Sequence, residues 1–95
     1  MKYNLDFLTQ ALKEWKALDK SIQTQFKKKL QERLENPHVP SSRLSGEKNR
    51  YKIKLRSIGY RLVYEVIDSE LVVVIIAVGK RDKSKIYSAA NSRSA

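Results

Sequence analysis

Between residues 50 and 56 every second side chain is a cation: Arg50, Lys52, Lys54 and Arg56 alternate with Tyr51, Ile53 and Leu55. In an extended strand this sends the cations to one face at steps of about 7 Å, near the spacing of successive phosphates in stretched single-stranded nucleic acid. A solvated strand face is the plain alternative. Two further features favour an anionic ligand. Arg61 follows the Gly59 turn, so a simple hairpin sets it beside Lys54 or Arg56, where like charges repel unless a phosphate or an acidic partner neutralises them. Gly79-Lys80-Arg81 then adds two more cations at the end of an apolar run, just before a short helical segment.

Cutting RNA by internal attack requires removal of the 2'-hydroxyl proton, stabilisation of a crowded phosphorane and protonation of the departing 5'-oxygen. Familiar nucleases use histidine and glutamate, but His38 is the one histidine and sits in a proline-flanked loop, where it reads as an ordinary surface residue. Glu65, Asp68, Glu70 and Asp82 are scattered over strand, turn and helix start, so no carboxylate cluster for magnesium is expected, and no cofactor. The chemistry then falls to Lys, Arg and Tyr. A lysine among other cations has its pKa lowered from about 10.4 and becomes a usable base, which makes Lys52 and Lys54 the candidates. Arginine stays protonated, so Arg61 and Arg81 suit charge stabilisation of the phosphorane. Tyr87 is placed to stack on a base or to exchange a proton. Tyr51, Tyr60 and Tyr64 fall on apolar positions and read as packing residues. The Lys27-Lys28-Lys29 run lies between Phe26 and Leu30 and reads as a solvated helix face.

The elements that must position these groups follow from periodicity. Tyr3, Leu5 and Phe7 alternate with polar residues, which predicts a short first strand over 2–7. Leu8, Ala11, Leu12, Trp15 and Leu18 line one helical face. A second helix, capped by Asp19 or Ser21, carries Ile22, Phe26, Leu30 and Leu34 at four-residue spacing and stops at Asn36-Pro37. Residues 36–49 hold two prolines, one glycine and three serines, the composition of a loop. Three strands over 50–56, 60–67 and 71–78 then form an antiparallel meander, and the last of them, apolar on both faces, belongs in the centre of the sheet. A short helix capped by Asp82 is expected over 82–90, followed by a frayed tail.

Ninety-five residues suit one domain, here taken as 1–95. With no cysteine, stability must come from packing, and a reducing, cytoplasmic setting suits the composition. The N-terminus has no signal-peptide pattern, and the longest apolar run falls far short of the roughly 20 residues a membrane helix needs. Twenty basic against ten acidic side chains give a net charge of +10, which favours polyanionic partners, though charge alone does not separate RNA from DNA. Residues 1–42 carry +3 and residues 43–95 carry +7, so the binding surface belongs to the C-terminal half.

Four motifs, Ala11-Leu12-Lys13-Glu14-Trp15, Tyr51-Lys52-Ile53-Lys54-Leu55-Arg56, Gly59-Tyr60-Arg61-Leu62-Val63-Tyr64 and Val78-Gly79-Lys80-Arg81, stand in an order and spacing that resemble the RelE toxins of the RelE/ParE superfamily. The resemblance spans nearly the whole chain. It implies an α+β fold, an antiparallel four-stranded sheet packed on two N-terminal helices with a short C-terminal helix, in the order β-α-α-β-β-β-α. It implies a metal-independent endoribonuclease that cuts mRNA in the A site of the 70S ribosome. A RelB-like antitoxin would neutralise it, and operator DNA would be met only indirectly, through the antitoxin complex that represses the shared operon. By the family's pattern the catalytic set falls on Lys52, Lys54, Arg61, Arg81 and Tyr87, with Arg43, Arg50, Arg56, Lys80 and Lys83 as further RNA contacts. Ser45 stands where some relatives carry an arginine, and the Ser/Ala-rich C-terminus departs from the family's basic, apolar helix. The alternative within the same superfold is a ParE-like, non-enzymatic toxin that poisons DNA gyrase.

Overall fold

The computed structural model describes residues 2–46, 48–81 and 85–95. Strand β1 (Asn4–Phe7) leads into helices α1 (Thr9–Lys16) and α2 (Lys20–Glu35). A 3-10 turn (Pro40–Ser42) precedes β2 (Arg50–Leu55), β3 (Tyr60–Ile67) and β4 (Val72–Lys80), and the chain closes with α3 (Lys85–Asn91). Among the described residues no helix is long and apolar enough to cross a membrane.

The sheet runs in the order β1-β4-β3-β2, so the doubly apolar strand β4 is central, as its composition requires. The β2-β3-β4 part is the expected antiparallel meander. The first strand corrects the all-antiparallel expectation: β1 pairs with β4 in parallel, Asn4 opposite Val72 and Phe7 opposite Ile75. The reason is topological, because the helical pair between β1 and the meander is a crossover long enough to bring the chain back in the same direction. β4 also starts at Val72 rather than Leu71, whose left-handed backbone (φ 52°) closes the turn that precedes it.

The two sheet faces are buried differently. On one, the helical face, Trp15, Ile22, Phe26, Leu30 and Leu34 of the helices pack against Tyr51, Ile53, Leu55, Leu62, Tyr64, Val73 and Ile75. Each such apolar side chain taken fully out of water contributes about 1.5–3 kcal/mol. On the other face, α3 covers only part of the sheet, setting Ile86 and Ala90 on Val63, Val74, Ile76 and Ala77. A bulge between Val63 and Tyr64 makes this patch: Val63 pairs with Ala77 and Tyr64 with Ile75, so Ile76 is the extra residue and joins Ala77 on the side of α3. The rest of that face lies open beyond α3.

The C-terminus departs from the frayed tail expected after residue 90. The Arg93 guanidinium reaches both carboxylate oxygens of Glu14 at 2.9 Å and the Ile76 carbonyl at 2.9 Å. Beyond Phe7 the β4 edge has no strand partner among the described residues, and these groups take over its backbone polar atoms, with Glu14 also accepting from the Val78 N–H at 3.2 Å. The expected Asp82 cap of α3 lies outside the described residues.

Candidate active site

Strand alternation and register assemble the site. Arg50, Lys52 and Lys54 lie opposite Glu65, Val63 and Arg61, and Arg61 lies opposite Gly79 of β4, all on the face that α3 partly covers. Two neighbouring cations thus stand beside a position with no side chain. A Cβ on Gly79 would come within 3.3 Å of the Ile86 Cδ1, so glycine both leaves room beside Arg61 and lets α3 seat closely. The β2-β3 turn closes through Gly59 in a left-handed conformation (φ 70°), and the Gly59 carbonyl accepts from the Arg81 N–H at 2.6 Å. That bond pins the chain after β4 against the turn and holds Arg81 by the hairpin.

The electrostatics report the convergence. Lys54 has its pKa lowered, first by the charge of Lys52, then by desolvation, then by Arg56, Arg61 and Arg81. Four cations from three segments therefore act on one amine, which enlarges the neutral fraction able to take a proton. Arg61 is only 6% exposed, and among the described residues its side chain bonds to the neighbouring Tyr60 carbonyl alone, at 2.9 Å. Most of its five N–H donors thus have no acceptor among those residues. Among the described residues, Lys52, Lys54, Arg61 and Arg81 form no ion pair. Nor does any group of three or more His, Cys, Asp or Glu side chains stand together in a way that would hold a metal.

Tyr87 sits on α3, half-buried against the Val63–Ala77 patch that borders Arg61, and its hydroxyl has no hydrogen-bond partner among the described residues. The remaining expected contacts divide. Arg56 joins the cluster through its effect on Lys54. Arg43 pairs with Tyr51 at the outer side of β2 and donates to the Asn49 side chain at 3.3 Å. Lys80 pairs with Tyr60, which packs on the helical core, so alternation turns Lys80 away from Arg61. Lys83 lies outside the described residues.

Arg50 is a correction. It continues the cationic alternation of β2, yet its side chain is 6% exposed, ion-paired with Glu65 at 2.8 Å and bonded to the Ala90 and Arg93 carbonyls. Its charge sits at the C-terminal end of α3, where cations are favoured and orphan carbonyls need donors. It ties the last helix to the sheet instead of facing solvent.

The sequence reading also passed over groups that the fold brings together. His38, read as an ordinary surface residue, contacts the Tyr51 hydroxyl at 2.9 Å through Nδ1 and Asp68 at 2.8 Å through Nε2, and Tyr3 donates to the same carboxylate oxygen at 2.6 Å. At the edge of β2 a cavity of about 320 Å³ is lined by Arg33, Ser41, Ser42, Lys52, Lys54 and Arg56. A signal for Arg33 was available, since it lies three residues after Leu30 and one before Leu34, on the margin of the buried stripe.

Fold and site together define a small basic α+β protein that gathers Lys and Arg side chains without an ion pair among the described residues on one sheet face, with Arg61 largely buried there. A family model described as the ParE toxin of the type II toxin-antitoxin system, parDE, matches residues 5–84. The chain is 54% identical over 93 residues, 98% of both proteins, to the mRNA interferase toxin RelE of Escherichia coli (strain K12). Among solved structures, a mutant E. coli toxin RelE in the free state superposes with a TM-score of 0.90 at 53% identity, covering 98% of both chains. The toxin of the intact E. coli RelBE toxin-antitoxin complex superposes at 0.81 and 54% identity, over 84% of this chain and 98% of that one. This chain belongs to the ParE toxin family of type II toxin-antitoxin systems, and within it is a RelE-like toxin.

Proposed function

We propose that this protein is an endoribonuclease that cuts mRNA in the A site of the 70S ribosome and so stops translation in the cytoplasm. The observation that carries the reading is the Lys54 amine, opposite Arg61 and under the combined charge of Lys52, Arg56 and Arg81, with no ion pair to the group among the described residues. The relatives named mRNA interferase support it.

Lys54, or Lys52 beside it, takes the 2'-hydroxyl proton, and the alkoxide attacks the adjacent phosphorus. Arg61 and Arg81 meet the charge that builds on the phosphorane oxygens. Arg61 suits this because it is fixed before substrate arrives and keeps donors in reserve. Tyr87 stacks on a neighbouring base or passes a proton. The 5'-oxygen leaves with a proton from a cationic neighbour, and the upstream fragment ends in a 2',3'-cyclic phosphate.

An antitoxin resembling RelB would restrain the enzyme, as the E. coli RelBE complex does for its own toxin, and the pair would reach operator DNA through the antitoxin. The family model bears the ParE name, and the second reading is a ParE-like gyrase poison without nuclease chemistry. Primer extension on ribosome-bound mRNA after induction separates the two. Breaks inside codons at the A site support the nuclease, and intact message with broken DNA supports the gyrase poison.

A further inference from the structure

Arg33 stands out as a half-buried arginine with no carboxylate partner among the described residues. Its Nη1 donates to the Tyr64 hydroxyl at 2.9 Å and to the Lys52 carbonyl at 3.3 Å, and its Nη2 donates to the Ser42 hydroxyl at 3.2 Å. The Tyr64 hydroxyl passes its own proton to the Pro37 carbonyl at 2.7 Å, so it can only accept from Arg33. Three neutral acceptors thus hold the guanidinium in place and leave its charge uncompensated. Nε and one Nη2 proton remain available, and Ser42, having accepted from Arg33, keeps a hydroxyl proton to donate.

Arg33 and Ser42 line the cavity at the outer edge of β2 together with Lys52, Lys54, Arg56 and the exposed Ser41. Four cations and two hydroxyls face one space that no carboxylate among the described residues lines. Holding like charges so close opposes folding unless an anion enters.

We propose that this edge cavity is a second phosphodiester subsite, in which Arg33 and Ser42 grip an RNA phosphate next to the one being cut. The proposal rests on the nuclease reading of the open face. Lys52 and Lys54 belong to both places, and positions two apart on a strand are separated by about 7 Å, near one phosphate step of an extended strand. RNA would therefore pass around the exposed edge of β2, with its scissile phosphate on the open face and a neighbour against Arg33. The neighbouring phosphate comes from the mRNA, or from ribosomal RNA that presents the same group.

The test uses the whole toxin on programmed ribosomes, with mRNAs carrying one uncharged methylphosphonate at each phosphate flanking the cut. Ser41→Glu places a carboxylate in the cavity lining while preserving the internal bonds of Arg33, and Arg33→Gln removes the charge. Both should lower cleavage about tenfold, the value of one charge-assisted hydrogen bond. An mRNA source is shown by one methylphosphonate position that slows the wild type by a similar factor and adds nothing in either variant. A ribosomal source is shown if no position couples and both variants bind empty 70S ribosomes more weakly. Folded variants, judged by thermal melting, that cut and bind within twofold of wild type would overturn the subsite. Failure of the nuclease reading has a separate signature, since Arg61→Ala and Arg81→Ala would then leave mRNA breakage unchanged.

Discussion

Lys54 of β2 and Arg61 of β3 are direct cross-strand partners on the open face of the sheet, and neither forms an ion pair among the described residues. Directly opposed strand residues place their Cβ atoms about 4.5–5.5 Å apart, so the repulsion is felt by the lysine amine. Its proton is held less tightly than that of an ordinary lysine, first through the charge of Lys52 and then, after desolvation and Arg56, through Arg61.

The sign of the resulting pH dependence follows. Lys54 must be neutral to accept a proton, so cleavage should rise with pH and level off below the pH at which a free lysine would titrate, about 10.4. Lys52→Met removes the largest charge acting on Lys54 and should move the rise to higher pH. Single-turnover pH profiles of the two proteins on programmed ribosomes check this, and coincident profiles would refute the electrostatic account.

Arg61→Ala and Arg81→Ala should each reduce cleavage by about 10²–10³, the usual loss when one preorganised donor to a developing anion is removed. Thermal stability should hold or rise, because each change relieves crowding among cations. The comparison is single-turnover cleavage against the melting temperature of the same preparations.

Arg50→Ala should destabilise the fold by about 3–5 kcal/mol, since it leaves the largely buried Glu65 carboxylate without its partner. Glu14→Ala should cost less, about 1–3 kcal/mol, through loss of the Arg93 bonds and of the acceptor for the Val78 N–H. Denaturant unfolding measures both. Hydrogen exchange should show α3 amides less protected in each variant.

The Tyr3-Asp68-His38 group should make stability sensitive at both ends of the pH scale. Asp68 has its pKa lowered, chiefly by the Tyr3 and His38 hydrogen bonds, so its contribution is complete above about pH 4 and is lost as pH falls through the folded value. Tyr3 has its pKa raised, chiefly by the bond to Asp68, so its contribution is present below about pH 10 and is lost as pH rises through the folded value. Tyr3→Phe should flatten the alkaline limb and soften the acid limb of melting temperature against pH. An unchanged curve would show that this hydrogen bond does not form in solution.

Local pattern sufficed for the elements and for the chemistry they could carry. Four-residue apolar spacing marked the second helix through Ile22, Phe26, Leu30 and Leu34, strict alternation marked β2, and an unbroken apolar run marked the central strand, because each depends on neighbours a few residues away. The juxtaposition of Lys54 and Arg61 was legible for the same reason, since a short turn sets hairpin register. Three outcomes depended on contacts between distant segments, which periodicity does not encode. The β1-β4 pairing became parallel once the helical crossover turned the chain. Arg50, in the same alternation as Lys52 and Lys54, was buried because α3 closes over its end of β2 and supplies carbonyls there. Arg33 acquired its fixed, unpaired charge only when α2 packed across the sheet and brought it to Tyr64, Ser42 and the Lys52 carbonyl. Sequence therefore determined which side chains share a face of an element, and tertiary packing decided which of them stay open to an anion.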